Sequence, residues 1–141
     1  MKPIFENSTI LLWYPVQYEG QECSNSIFYG GATPNQQIEP AVQWLLKKFP
    51  YPFFLVGSDY VFPRTANDII KSMLATLGRD MVGEAYVPLP ADAAQSATNA
   101  IKLNQTVNFI NNNFPNGVVV FNTLNGDANV GMSSLTLSIP C

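Results

Sequence analysis

Phe53, Phe54, Leu55 and Val56 make an unbroken apolar run that passes directly into the polar stretch Gly57, Ser58, Asp59 and Tyr60. A short apolar run bounded by turn residues has the pattern of a strand buried on both faces. Beyond the turn, Ile69, Ile70, Met73, Leu74 and Leu77 recur at helical spacing. Thr65 suits the cap of that helix, and Gly78 stands where a left-handed residue would end it. Strand, turn and helix in this order are half of a βαβ unit, which restricts the chain to architectures with parallel strands. In open sheets of that kind ligands lie beyond the carboxyl ends of the strands. The turn here carries Asp59, Tyr60, Phe62 and Arg64, so ligand chemistry is expected at this point.

The downstream sequence continues the alternation. Residues 81–89 alternate loosely and end at prolines, as a strand does. Ala93, Ala97, Ala100, Leu103, Val107, Ile110 and Phe114 follow as a helical stripe whose small residues suggest close packing on a sheet. Val118, Val119, Val120 and Phe121 are the most strand-like run of the chain, and residues 122–127 form a polar turn. The βαβαβ order predicts an α/β fold with a doubly wound parallel sheet and right-handed crossovers. Residues 131–141 show no cap and no helical face. Upstream, residues 10–14 and 27–29 read as short strands. Thr33, Pro34 and Gln36 open a helix whose apolar face is Val42, Leu45, Leu46 and Phe49. Phe49, Pro50, Tyr51 and Pro52 break it. A boundary is expected there, with residues 1–48 forming a partial first lobe and residues 49–141 a partial second.

Composition narrows the function. The 141 residues carry a net charge of −3, 12% charged residues and no basic cluster, so nucleic acid is not an expected partner. No apolar run approaches the roughly 20 residues that span a bilayer. Residues 1–8 do not have the pattern of a signal peptide. Cys23 and Cys141 are too few to define a disulfide framework and read as free thiols. Histidine is absent, which removes the commonest general base and metal ligand. No nucleophile elbow, phosphate loop or metal cluster is legible, so neither enzymatic activity nor a cofactor is expected. What remains is three turns rich in aromatics and neutral hydrogen-bonding groups: residues 13–19, 58–62 and 122–127. Such turns suit a small, uncharged polar ligand. The plainer reading is that Tyr14, Tyr60 and Phe62 are core aromatics and that Asp59 and Asp127 only cap helices.

The same stretches carry a resemblance. Tyr14-Pro15-Val16-Gln17-Tyr18-Glu19-Gly20-Gln21-Glu22, Pro34-Asn35-Gln36-Gln37, the run from Phe54 through Gly57-Ser58-Asp59-Tyr60-Val61-Phe62-Pro63-Arg64 to Asn67, and Phe121-Asn122-Thr123-Leu124-Asn125-Gly126-Asp127 resemble the urea and short-chain-amide substrate-binding proteins. These belong to the type I periplasmic-binding-protein class, and the likeness covers about residues 5–130. It implies a two-lobed clamshell that closes on urea or a small neutral amide and serves an ABC permease from the periplasm or the cell exterior. It also implies one wall from Tyr14, Pro15, Val16 and Gln17, an opposing wall from Tyr60 and Phe62, and a contribution from Asp127. Set against that pattern, the family's first elements and its return crossing are not found here, residues 91–116 form a longer, Asn-rich helix, and residues 131–141 depart altogether. An internal piece of such a protein is the expectation. The alternatives are a cytoplasmic amide-sensing regulatory domain with the same pocket, a non-functional truncated piece, or a small flavodoxin-like α/β enzyme.

Overall fold

The computed structural model describes residues 2–134. A short helix α1 (Lys2–Glu6) precedes β1 (Leu12–Tyr14) and β2 (Ile27–Tyr29), which pair in parallel. Then come α2 (Pro34–Lys48), β3 (Phe53–Ser58), α3 (Val61–Thr76), β4 (Met81–Val87), α4 (Ala93–Asn113), β5 (Val119–Thr123) and α5 (Asp127–Ser134). β3, β4 and β5 form a parallel sheet in the order β4-β3-β5. The expected βαβαβ order and parallel pairing are both present.

β3 is the axis of the core because it is hydrogen-bonded on both edges and all six of its residues are buried. Its period-2 alternation divides the core into two layers. Phe53 and Leu55 pack with Ile38 and Val42 of α2 and with Ala66, Ile70 and Leu74 of α3. Phe54 and Val56 pack with Leu103, Val107 and Ile110 of α4 and with Ala128 and Met132 of α5. Full burial of one such side chain contributes about 1.5–3 kcal/mol, so this cross-sheet packing outweighs the propensity of any single helix. α2 therefore packs on the β3 sheet across the proline-rich connector. Arg79 holds that connector by donating to the carbonyls of Phe49 and Tyr51 at 3.1 and 3.2 Å.

Several local features match the sequence reading. Gly78 has φ +61, and the Arg79 and Gly78 amides bond back to the carbonyls of Leu74 and Ala75, which ends α3 in a left-handed cap. At the start of α2 the Gln36 side chain accepts the Thr33 N–H at 3.0 Å.

Four features differ. α3 starts at Val61 with Tyr60 as its N-cap, and Thr65 is buried inside the helix rather than capping it. Pro63 sits in the first turn, where its missing N–H costs nothing, and it extends the buried stripe of Ala66, Ile70 and Leu74 backwards. Leu77, expected in the core, is exposed because it is already the C-cap. In α4 the small residues Ala93, Ala97 and Ala100 face solvent. Asn99 is buried in their place and donates to the Pro88 carbonyl at 2.8 Å. Finally, Gly131 to Ser134, read as a non-helical tail, complete α5, held by the burial of Ala128 and Met132 one turn apart. The rest of that tail, residues 135–141 with Cys141, lies outside the described residues.

Candidate functional site

The carboxyl ends of β3, β4 and β5 are joined by side chains rather than left as independent loops. Gly57 makes their close approach possible: a Cβ there would stand 2.7 Å from Thr123 Oγ1, 3.1 Å from Pro63 and 3.2 Å from the Tyr86 ring. Ser58 is fully buried, and its Oγ accepts the backbone N–H of Asn125 at 2.9 Å, which ties the loop after β5 to the end of β3. The Asp59 N–H donates to the Val87 carbonyl at 2.7 Å, which ties in β4. Thr123 Oγ1 lies 3.2 Å from both the Val56 carbonyl and Asn67 Oδ1, with one proton to give. Asn67, itself fully buried, donates to Tyr86 Oη at 2.9 Å, and Tyr86 donates to Glu84 Oε2 at 3.0 Å. Arg64 covers the Tyr86 ring, its guanidinium carbon 3.8 Å from the centroid, while pairing with Asp59 at 2.8 Å. Burial pushes the Tyr86 phenol above its ordinary range.

Tyr60 emerges from this platform. Asn125 Nδ2 donates to its hydroxyl oxygen at 2.7 Å. Its phenol is held above the ordinary range by partial burial, then by the charge of Glu19, then by Tyr14. The last two influences come from the end of β1 and the loop after it, so the Tyr14 segment and Tyr60 share one electrostatic neighbourhood. Phe62 is half-buried in the first turn of α3.

On the other side, Tyr14 ends β1 opposite Tyr29 of β2, with the two rings edge-on at 6.1 Å. Tyr18 stacks on Tyr29 at 4.2 Å, and Tyr29 donates to Glu22 Oε1 at 2.9 Å. Burial first, then the Glu22 bond and charge, push the Tyr29 phenol up to about 12. Tyr14, Tyr18 and Tyr29, with Glu19 and Glu22, line a cleft of about 300 Å³. Pro15, Val16 and Gln17 are exposed. The Val16 carbonyl presses on Gly31 so closely that a Cβ there would stand 1.8 Å from its oxygen. Only glycine fits at that crossing.

Asp127 lies elsewhere. It opens α5 and borders a small cavity lined also by Pro90, Asn99 and Leu103, from α4 and the loop before it, and by Ala128 and Gly131 of α5 itself. Asn125, Thr123, Asn67 and Tyr86 were not singled out from the sequence. The signal for the first two was the polar turn after β5, which becomes a site element only once β5 is known to lie beside β3.

A parallel α/β sheet whose strand ends present neutral hydrogen-bonding side chains and tyrosines defines a ligand-binding module. Residues 1–135 match the family model described as Periplasmic binding protein domain, and the chain belongs to that family. Proteins of this family bind small ligands as components of transport systems, usually outside the cytoplasm, and are generally not enzymes. Among the described residues no helix is long and apolar enough to cross a membrane.

Proposed function

We propose that this protein binds urea or a short-chain aliphatic amide in a cleft between two lobes, as the substrate-binding component of an ABC importer. In this reading one wall is Tyr14 with Pro15, Val16 and Gln17, from residues 1–48. The facing wall is Tyr60 with Phe62, from residues 49–141. α2 packs with the second lobe. The observation that carries the reading is Tyr60 at the end of β3, bonded to Asn125 and within electrostatic reach of Tyr14 and Glu19. A neutral amide offers N–H donors and one carbonyl, which phenols, Asn125 and strand-end carbonyls can satisfy without burying an unpaired charge.

The test is calorimetric titration of urea and acetamide into the full chain and its Tyr14→Ala and Tyr60→Ala variants. Binding that weakens in both variants is expected. Tyr60→Phe should cost about 0.5–1.5 kcal/mol, the worth of one hydrogen bond, with the aromatic wall retained. Unchanged affinity in both alanine variants would place the ligand somewhere else.

A further inference from the structure

We infer that Asn125 sets the hydrogen-bonding polarity of the site: it fixes Tyr60 as a donor into the cleft, and so selects ligands that carry a carbonyl oxygen beside an N–H. The inference rests on the reading above, in which Tyr60 faces the ligand. Asn125 is held from two sides, its backbone N–H on the buried Ser58 Oγ at 2.9 Å and its side-chain Nδ2 on Tyr60 Oη at 2.7 Å. An amide nitrogen has only protons to offer, so the phenol oxygen is the acceptor in that contact. The phenol's single proton is then free to be given. Among the described residues Tyr60 Oη makes no other hydrogen bond, and neither does Asn125 Oδ1. The pair therefore offers one donor, the Tyr60 O–H, and one acceptor, Asn125 Oδ1, carried on the same planar amide that fixes the phenol. A primary carboxamide or urea presents the complement, a carbonyl oxygen next to an N–H. Guanidinium has the shape of urea but only donors, so it leaves the phenol proton unpaired. Sites built around a hydrogen bond reject analogues that lack it more strongly than apolar pockets reject a missing methylene. Asn125 is thus a positioning residue that acts through Tyr60.

The test has two arms on the full chain. Without ligand, the side-chain amide protons of Asn125 are followed by NMR in wild type and in Tyr60→Phe. They should shift and lose protection from exchange when the phenol oxygen is removed, and unmoved resonances would overturn the contact whatever the ligand proves to be. With ligand, urea and guanidinium are titrated into wild type, Asn125→Asp, Tyr60→Phe and the double variant. Wild type should prefer urea by at least roughly tenfold. Asn125→Asp supplies only acceptors, so the phenol gives its proton inward and turns a lone pair to the cleft. Urea should then weaken and guanidinium gain. Because a new carboxylate attracts any cation, the double variant decides the matter: most of the guanidinium gain should vanish without the phenol. A gain that persists in full would show simple charge attraction and overturn the inference. Failure of wild type to bind urea, with the NMR arm positive, would overturn the amide reading and the selection it implies while the polarity of the Tyr60 hydroxyl stands.

Discussion

Gly57 of β3 and Thr123 of β5 are register partners, so close that a Cβ on residue 57 would stand 2.7 Å from the threonine hydroxyl oxygen. That hydroxyl is within 3.2 Å of Asn67, which holds Tyr86. The central glycine thus sets how tightly two strand ends and the start of α3 draw together beneath Tyr60.

Gly57→Ala should cost about 1–3 kcal/mol through overpacking and should also weaken amide binding, because Thr123, Pro63 and Tyr86 must all move. Gly78→Ala provides the contrast. Its Cβ would meet nothing within 4 Å, and only the φ of +61 opposes it. A cost of about 1 kcal/mol is expected, with ligand affinity unchanged. Guanidinium denaturation and calorimetry on both variants separate the two effects.

Ser58→Ala should destabilise the fold by about 1–2 kcal/mol, because it leaves the Asn125 N–H without its acceptor. The loop after β5 should loosen with it, seen as faster amide exchange over residues 124–126 than in wild type. Unchanged exchange there would mean that Ser58 does not hold the loop.

Tyr29 gives a pH dependence with a definite sign. Its folded pKa of about 12 lies above the ordinary 10.0, so folding favours the neutral phenol. The stability this contributes is fully present below about pH 10 and is lost as pH rises toward about 12. Titration followed by tyrosinate absorbance should show such a late tyrosine, and Glu22→Ala should bring it down by removing both the bond and the charge.

Trp13 and Phe28 stack at 4.4 Å on the β1–β2 face opposite Tyr14 and Tyr29, and both are exposed, at 64% and 59%. Leu11 beside them is 76% exposed. An apolar face of this kind should bind a hydrophobic dye in the isolated chain. Trp13→Thr combined with Phe28→Thr should abolish most of that fluorescence, and equal fluorescence in the variant would place the dye on another surface.

The sequence exposes this fold unevenly, and the reasons are local. β3 is legible because its first four residues, Phe53 to Val56, are apolar without interruption, and Gly78 because only a left-handed residue serves there. The start of α3 is hidden, since Asp59, Tyr60 and Arg64 look like turn chemistry and Pro63 like a breaker, although proline is harmless in a first turn. α5 is hidden by Gly131, which interrupts a stripe only Ala128 and Met132 sustain. At the site, Tyr14 and Tyr60 stand out as aromatics just past apolar runs. Asn125 does not, because its partners Ser58 and Tyr60 are more than sixty positions away in the chain and become neighbours only through the parallel pairing of β3 and β5.

The central claim is the proposal that a neutral amide binds between Tyr14 and Tyr60. Acetamide and acetate test it most directly, for they share size and shape and differ in charge and in the N–H edge. Titrated separately into the full chain by calorimetry, acetamide should bind and acetate should not, since Glu19 repels the anion and Asn125 Oδ1 finds no donor on it. Acetate binding as tightly as acetamide would contradict the account.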